Sequence, residues 1–538
     1  MKLITKYIIW VLFILLITNI SGCDNNLQEQ VFSDVTEGNI DFENTDYRAV
    51  IGAAYSPMRT IWYQNYYLAQ TTSSDAIVQP ANGSGWDDGG VFRRMHQHTW
   101  NAQQAHVNGM WNSFYSGVIN TNRVIGQLES GLLNIPSSVG DEAILAEMKV
   151  ARALYYWLIL DNFGDAPLIT SSESELPSNS SRQELYDFVI SEINSSIPDL
   201  SEDNNDSMYG RINRWAAETL LANIYLNAEV YTGTPQWDEV ITHTDNVINS
   251  GRYTLETNFR DIFKADNSGS TEIIFAVPFD ETLATGFNLH MFSWHAALRE
   301  KFQTQATPWG AGSAQGVGQF VDTFDENDNR LNDSFLRGEQ FAPDGSPLLG
   351  SYDKAGEPLN FTMQQPNGVF TGEDEGYRQL KFEIEEGATS NLNNDFPFFR
   401  YAQIYLMQAE AILKSNGNPD TAAELVTEVR ERAFDDPAMA VVTGQELLEN
   451  SKYEYGFVED YEIVDPGDQS PVEYGRLLDE LGWEFVWEGY RRRDMIRFGI
   501  YTTKSWLSHT PNGSFRTVFP IPQTVIDTNP NLSQNPNY

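Results

Sequence analysis

From Tyr47 onward the chain alternates between stretches with helical periodicity and stretches with none. Around Glu142–Phe163, Leu145, Met148, Ala151, Leu154, Tyr155 and Leu158 recur at three- and four-residue steps, the spacing of one buried helix face. A partner helix is predicted around Trp111–Leu128. A second pair is predicted over Trp215–Asn227 and Trp237–Ile248, with Ala216, Leu220, Asn223 and Ile224 on one face. A third runs from Phe399 to Lys414 and from Thr421 to Ala433, with Asn416-Gly417-Asn418-Pro419 as stop and restart. Trp111, Trp157, Trp215, Trp483 and Trp487 fall inside such patterns beside apolar neighbours and are expected in the core.

Helix pairs of this length resemble tetratricopeptide repeats, although the spacing is irregular. Between them, residues 258–395 are rich in Gly, Asn, Asp, Ser and aromatics, and only Glu272–Pro278 reads as a strand. A second loop-rich stretch covers residues 60–108. Long loops on a helical scaffold usually carry function. The expected fold is therefore mainly α: helix pairs over about 109–250 and 396–500, with long aromatic-rich insertions and few short strands.

The first 43 residues obey other rules. Lys2 and Lys6 precede an apolar run, Tyr7–Ile17, and then Ile20-Ser21-Gly22 precede Cys23, the only cysteine of the chain. That is the layout of a secretion signal over 1–22 whose cleavage leaves an acylated Cys23. The run is shorter than the roughly 20 residues a spanning helix needs. Each lipid methylene buried would add about 0.8 kcal/mol, so two or more acyl chains hold firmly. Residues 23–43, polar and acidic, read as a tether to a domain over 44–538.

Composition narrows the field. A lone cysteine leaves no disulfide within the monomer and no Cys-based metal or redox site. With 34 Lys and Arg against 75 Asp and Glu, the net charge is −41, which repels nucleic acid and anionic lipid and favours neutral ligands. Aromatics make up 13% of the chain, a supply of flat rings larger than helix packing alone requires.

Several motifs together resemble the SusD/RagB family. They are Asn120-Thr121-Asn122-Arg123-Val124-Ile125, Glu147–Tyr156 followed by Phe163-Gly164-Asp165-Ala166-Pro167-Leu168, and Arg400–Glu410. They continue with Trp483–Asp494, Phe519-Pro520-Ile521-Pro522 and Asn529–Tyr538, in family order along almost the whole mature chain. The resemblance implies a non-enzymatic outer-membrane lipoprotein facing outward. It would bind oligo- or polysaccharide and pass it to a SusC-type TonB-dependent transporter, without a cofactor. Asp24, directly after Cys23, would retain a lipoprotein at the inner membrane in enterobacteria, so the surface location rests on the resemblance. The loop Gly85–Gly90 with His96–Trp100 is also faintly similar to laminarin-type β-glucan binders of this family.

Sugars offer apolar C–H faces rimmed by hydroxyls, which flat rings and nearby polar groups recognise. Trp86 is the leading candidate, because Asn82-Gly83-Ser84-Gly85-Trp86-Asp87-Asp88-Gly89-Gly90 gives it no apolar neighbours. Trp294 and Trp309 follow, lying where members of the family place ligand-contacting aromatics; packing in a satellite core is the rival reading. Tyr63 and Tyr66 are further candidates, with Asn65, Asp75 and Arg93 as polar partners. Tyr66 and Tyr67 cannot share a helix face, so at most one of them faces a ligand.

Other chemistry is weaker. The charges from Glu484 to Arg497 sit at helical steps and are expected to form a structural ion-pair lattice. His96 and His98 would share a face in a strand, with His106 to complete a set. No familiar ligand spacing accompanies them, and Arg93 and Arg94 disfavour a cation, so no metal is expected. Asp325–Asn329 reads as a helix-capping turn rather than a calcium loop. A helical glycoside hydrolase would need two carboxylates about 5–9.5 Å apart. Asp87 and Asp88 are adjacent and badly placed for that. A peptide-binding tetratricopeptide adaptor is the remaining alternative.

Overall fold

Some of the helices begin at a side-chain cap. In the computed structural model, which describes residues 46–60, 65–82, 87–171, 176–310 and 314–538, eight helices form the scaffold. They are α1 (Tyr47–Thr60), α2 (Ala105–Glu129), α3 (Asp141–Phe163), α4 (Arg182–Ser196), α5 (Arg214–Leu226), α6 (Trp237–Ser250), α7 (Tyr401–Lys414) and α8 (Pro419–Arg430). Ser181 and Glu184 close a capping box on α4, and Asn418 caps α8 with Pro419 in its first turn. Cys23, the tether, Tyr63 and Trp86 lie outside the described residues.

Each helix packs on the next: α1 on α2, α2 on α3 and α3 on α4, then α5 on α6, α6 on α7 and α7 on α8. Gly117 shows how closely. A methyl group there would lie 2.3 Å from the Tyr155 ring, so α2 and α3 meet at a point where only glycine fits. The five tryptophans assigned to helical stripes are all buried. No described helix is long and apolar enough to cross a membrane.

Two helix expectations change, one at the start of α7 and one in the Glu484–Arg497 run. Phe399 and Arg400 belong to a strand, Phe396–Arg400, paired antiparallel with the predicted strand at Ile273–Val277. Both strands are buried along their length. The Glu484–Arg497 run is not one helix either. A helix over Gly475–Phe485 stops, Trp487 and Gly489 adopt left-handed backbone, and a second helix starts at Arg491.

The ion-pair lattice exists, but tertiary contacts build it. Arg400 meets Glu484 at 2.6 Å, Glu488 at 2.8 Å and Glu272 at 2.9 Å. Arg330 joins Glu484, Glu480 and Asp328, and Lys381 meets Glu488 at 2.5 Å. Arg432 bridges Glu272 and Glu484, while Arg430 and Arg476 both reach Glu480. Burial opposes the charge on Glu484, yet Arg432, Arg400 and Arg330 hold its carboxyl well below the usual range. The lattice ties the central strands to helices far away in sequence.

The loop-rich stretches are stitched to each other by two-residue strands. Ile77–Val78 pairs antiparallel with Gln315–Gly316, and Ala81–Asn82 pairs parallel with Phe370–Thr371. Residues 60–108 are also less open than their composition suggests, because the helix Tyr66–Thr72 is wholly buried. Asp328 caps the helix Asn329–Ser334, as the capping reading of Asp325–Asn329 requires.

Candidate functional site

The site grows from a turn. Asp88 accepts the amide hydrogens of Gly90 and Phe92, which starts the helix Val91–His96. Asp87 then receives Arg93 at 2.8 Å, and the Arg93 guanidinium lies 5.5 Å from the Phe370 ring centroid. Asp87 and Asp88 are thus turn and anchoring carboxylates, not a pair flanking a bond. Phe370 is 47% exposed. Its backbone is fixed by Asn367, whose side-chain oxygen accepts from the amides of Val369 and Phe370.

Trp309 reaches the same framework from another side. It is 52% exposed, and its ring meets Phe292 edge-on at 5.6 Å. Phe292 packs edge-on against Phe92 at 5.6 Å, the residue before Arg93. Three rings in series therefore connect Trp309 to the helix that carries Arg93.

Beyond Phe370 the chain turns through Glu373–Gly376 around the buried Arg378. Its guanidinium donates to the carbonyls of Glu373, Glu375 and Gly376. Burial lowers the Arg378 pKa to about 9, against the pull of Asp374, Glu375 and Glu373. Two more exposed rings dock on this turn. Tyr461, at the tip of the hairpin Gly456–Asp465, is 52% exposed and donates its hydroxyl to Glu375 at 2.7 Å. That hydrogen bond, with some burial, pushes the phenol up to about 12. Tyr352 is 58% exposed. Its turn is held by the Ser351 amide on Glu373 at 2.8 Å and by Lys354 near Asp374 at 3.4 Å.

Four exposed rings stand on this connected framework, with Arg93 beside Phe370 and Glu375 accepting from Tyr461; such groups suit hydroxylated ligands, offering flat apolar faces for C–H groups and charged acceptors and donors for hydroxyls. Trp309 and Arg93 are among the sequence candidates; the exposed Phe370, Tyr352 and Tyr461 are not. Phe370 did carry a signal, since Asn367-Gly368-Val369-Phe370-Thr371-Gly372 isolates a ring between glycines.

Four candidates have other roles in the structure. Trp294 is fully buried, stacks on Phe302 at 4.1 Å and donates its indole N–H to the Gln379 carbonyl at 2.6 Å. It is the centre of the satellite core, with nothing left to offer a ligand. Tyr66 is buried edge-on against Phe114, and Tyr67 is buried beside it. Asp75 is buried in a two-pronged pair with Arg491 at 2.7 and 2.9 Å. Asn65 donates its side-chain amide to the Thr60 carbonyl at 3.1 Å and to the Ser113 hydroxyl at 3.2 Å.

The histidines are also placed differently. His96 ends a helix and His98 has left-handed backbone, so they do not share a strand face. Both are buried, and burial drives the His96 pKa down to about 3. His98 packs 4.0 Å from the His509 ring. Among the described residues no group of three or more His, Cys, Asp or Glu is arranged to hold a metal ion.

Comparison with known proteins fits this architecture. A family model described as "SusD family" matches residues 239–538, and one described as "Starch-binding associating with outer membrane" matches residues 29–226. Starch-binding protein SusD of Bacteroides thetaiotaomicron is 28% identical over 438 residues, 73% of this chain and 72% of that protein. SusD-like protein P25 of Formosa agariphila is 25% identical over 460 residues, 80% of this chain and 79% of that protein. Among solved structures, surface glycan-binding protein A of Bacteroides thetaiotaomicron in complex with laminarihexaose aligns with a TM-score of 0.67 at 21% identity. The alignment covers 91% of this chain and 99% of that one. A laminarin-binding SusD-like protein aligns at 0.65 and 19% identity over 91% and 98%. At those identities the structures establish the fold.

Proposed function

Because this chain belongs to the SusD family, we propose that it is an outer-membrane-associated, non-catalytic receptor that captures a neutral glucan on its outer surface. The observation that carries this reading is the exposed ring set Trp309, Phe370 and Tyr461, bound into one framework with Arg93 and Glu375. A relative named for starch and a structural neighbour holding laminarihexaose both point to glucose polymers. The acidic surface favours an uncharged glycan, and laminarin-type β-glucan is the preferred ligand. Trp86, four residues beyond the strand that pairs with Phe370–Thr371, joins the proposed site. Acylation of Cys23 would hold the receptor at the membrane beside a SusC-type transporter that accepts the glycan.

Calorimetry with laminarin tests this. Trp309→Ala, Phe370→Ala and Trp86→Ala should each weaken binding by roughly 10-fold or more, since a lost ring contact costs its stacking plus its buried area. Wild-type affinity in all three variants would remove this face from the site. Release of new reducing ends from laminarin would instead mark an enzyme. In the same series a Cys23→Ala form should bind as wild type yet fail to restore glycan uptake on cells.

A further inference from the structure

The carboxylate of Glu373 is buried, and both of its oxygens are in use. One accepts the backbone amide of Ser351 at 2.8 Å, and the other meets Nε2 of the buried His295 at 2.8 Å. The backbone carbonyl of Glu373 is held in turn by the Arg378 guanidinium at 2.9 Å. A carboxylate fixed at its backbone thus reaches from one turn, Glu373–Gly376, to the turn that carries Tyr352.

That second turn needs an anchor. Tyr352 has left-handed backbone, with φ of 35°, which a bulky residue keeps only where its surroundings impose it. Its ring is exposed, so the constraint comes from the backbone on either side. The Lys354 amide closes the turn on the Ser351 carbonyl at 2.8 Å, while the Ser351 amide is given to Glu373. Gly350 lets the turn settle onto the carboxylate. A methyl group there would lie 2.7 Å from the Lys354 carbonyl oxygen and 3.0 Å from Oε1 of Glu373.

The chemistry of the two partners requires a carboxylate at this position. Nδ1 of His295 accepts the amide hydrogen of Ala297 at 3.2 Å, so Nε2 carries the ring proton and donates it to Glu373. Both partners of Glu373 are therefore donors. A side-chain amide of the same shape cannot serve both, because whichever way it turns its NH2 group faces an N–H. Given the glycan-binding face proposed above, we infer that Glu373 is its positioning residue for Tyr352, holding the left-handed turn so that the ring meets the sugar already ordered. A ring fixed in advance loses less freedom when a ligand stacks on it. Glu373 itself is buried and acts through Tyr352.

Calorimetry with laminarin on four forms of the full-length protein is the test: wild type, Glu373→Gln, Tyr352→Ala and the double variant. Tyr352→Ala should weaken binding by about tenfold, and the isosteric Glu373→Gln by about fivefold. In the Tyr352→Ala background Glu373→Gln should cost nothing further, because the ring it positions is gone. A role confined to stability would instead leave affinity unchanged in the folded variant, or lower it equally in both backgrounds. If Glu373→Gln does not fold, Ser351→Pro removes the amide hydrogen that Glu373 accepts and should reproduce both effects. The role of Glu373 is refuted if the folded variant binds as wild type, or if its loss multiplies onto that of Tyr352→Ala. It is refuted too if Tyr352→Ala binds as wild type while Trp309→Ala and Phe370→Ala do not, an outcome that leaves the glycan face standing without Tyr352. Wild-type affinity in every ring variant would remove the face and the role of Glu373 together.

Discussion

Trp294 and Trp309 stand in the same loop-rich stretch, yet one is sealed and the other is half in water. The difference lies in what surrounds each indole. Trp294 follows His290-Met291-Phe292-Ser293, which forms a short buried helix, and its N–H has a carbonyl partner. Trp309 sits between Pro308 and Gly310; its amide donates to the Met291 carbonyl at 3.1 Å, while its ring, edge-on to Phe292, stays half in water. Trp294→Ala should therefore cost about 3–5 kcal/mol of stability, the range for a buried aromatic. Trp309→Ala, which removes a half-buried ring and one edge-on contact, should cost clearly less, about 1–2 kcal/mol. Urea denaturation measures both, and equal losses would contradict the assignment. Local composition favours Trp309 over Trp294 only weakly, because Met291 and Phe292 could equally have framed an open platform.

Among elements, the strand Phe396–Arg400 organises the most. It pairs with Ile273–Val277, feeds directly into α7, and ends on the arginine that three carboxylates surround. Removing one partner of a buried charge cluster leaves the others uncompensated. Arg400→Leu should destabilise the fold by about 3–5 kcal/mol. Arg337→Leu breaks the exposed pair with Glu326 and should cost less than about 1 kcal/mol. The contrast is measurable by thermal or urea unfolding; similar losses would mean the lattice contributes no more than surface charge. The sequence shows alternating charge from Glu484 to Arg497 but places it on a single helix. What it does not contain is the partner list: Glu272, Asp328, Arg330 and Lys381 come from the insertion, and only folding brings them there.

At the scale of the whole molecule, burial sets the acid response. His106 is buried, and desolvation, aided by Arg94, lowers its pKa to about 4. In the unfolded chain the value is near 6.5. The neutral ring is therefore compatible with full stability above pH 6.5, and that stability is lost as pH falls from about 6.5 toward 4, where the unfolded chain binds the extra proton. His290, also held near 4, acts in the same direction. Asp479, raised to about 6 by burial, acts in the opposite one. A variant comparison isolates the effect: His106→Gln should lose less stability than wild type between pH 6.5 and 4 in urea titrations. Parallel pH profiles would refute it.

The linear sequence by itself determined the helix pairs, since a 3.6-residue stripe of Leu, Ala and Tyr can be buried in only one way, and caps such as Ser181 and Asn418 fix where helices start. It also marked the aromatic-rich stretches between the helix pairs, because there the helical periodicity stops. The tertiary structure decided which aromatics face solvent and which charges are paired. Phe370 owes its place to a two-residue strand pairing, Tyr461 to a hydrogen bond with Glu375, and Asp75 its burial to Arg491. Exposure and ion pairing depend on neighbours tens to hundreds of residues away, and no local pattern of residues records who those neighbours are.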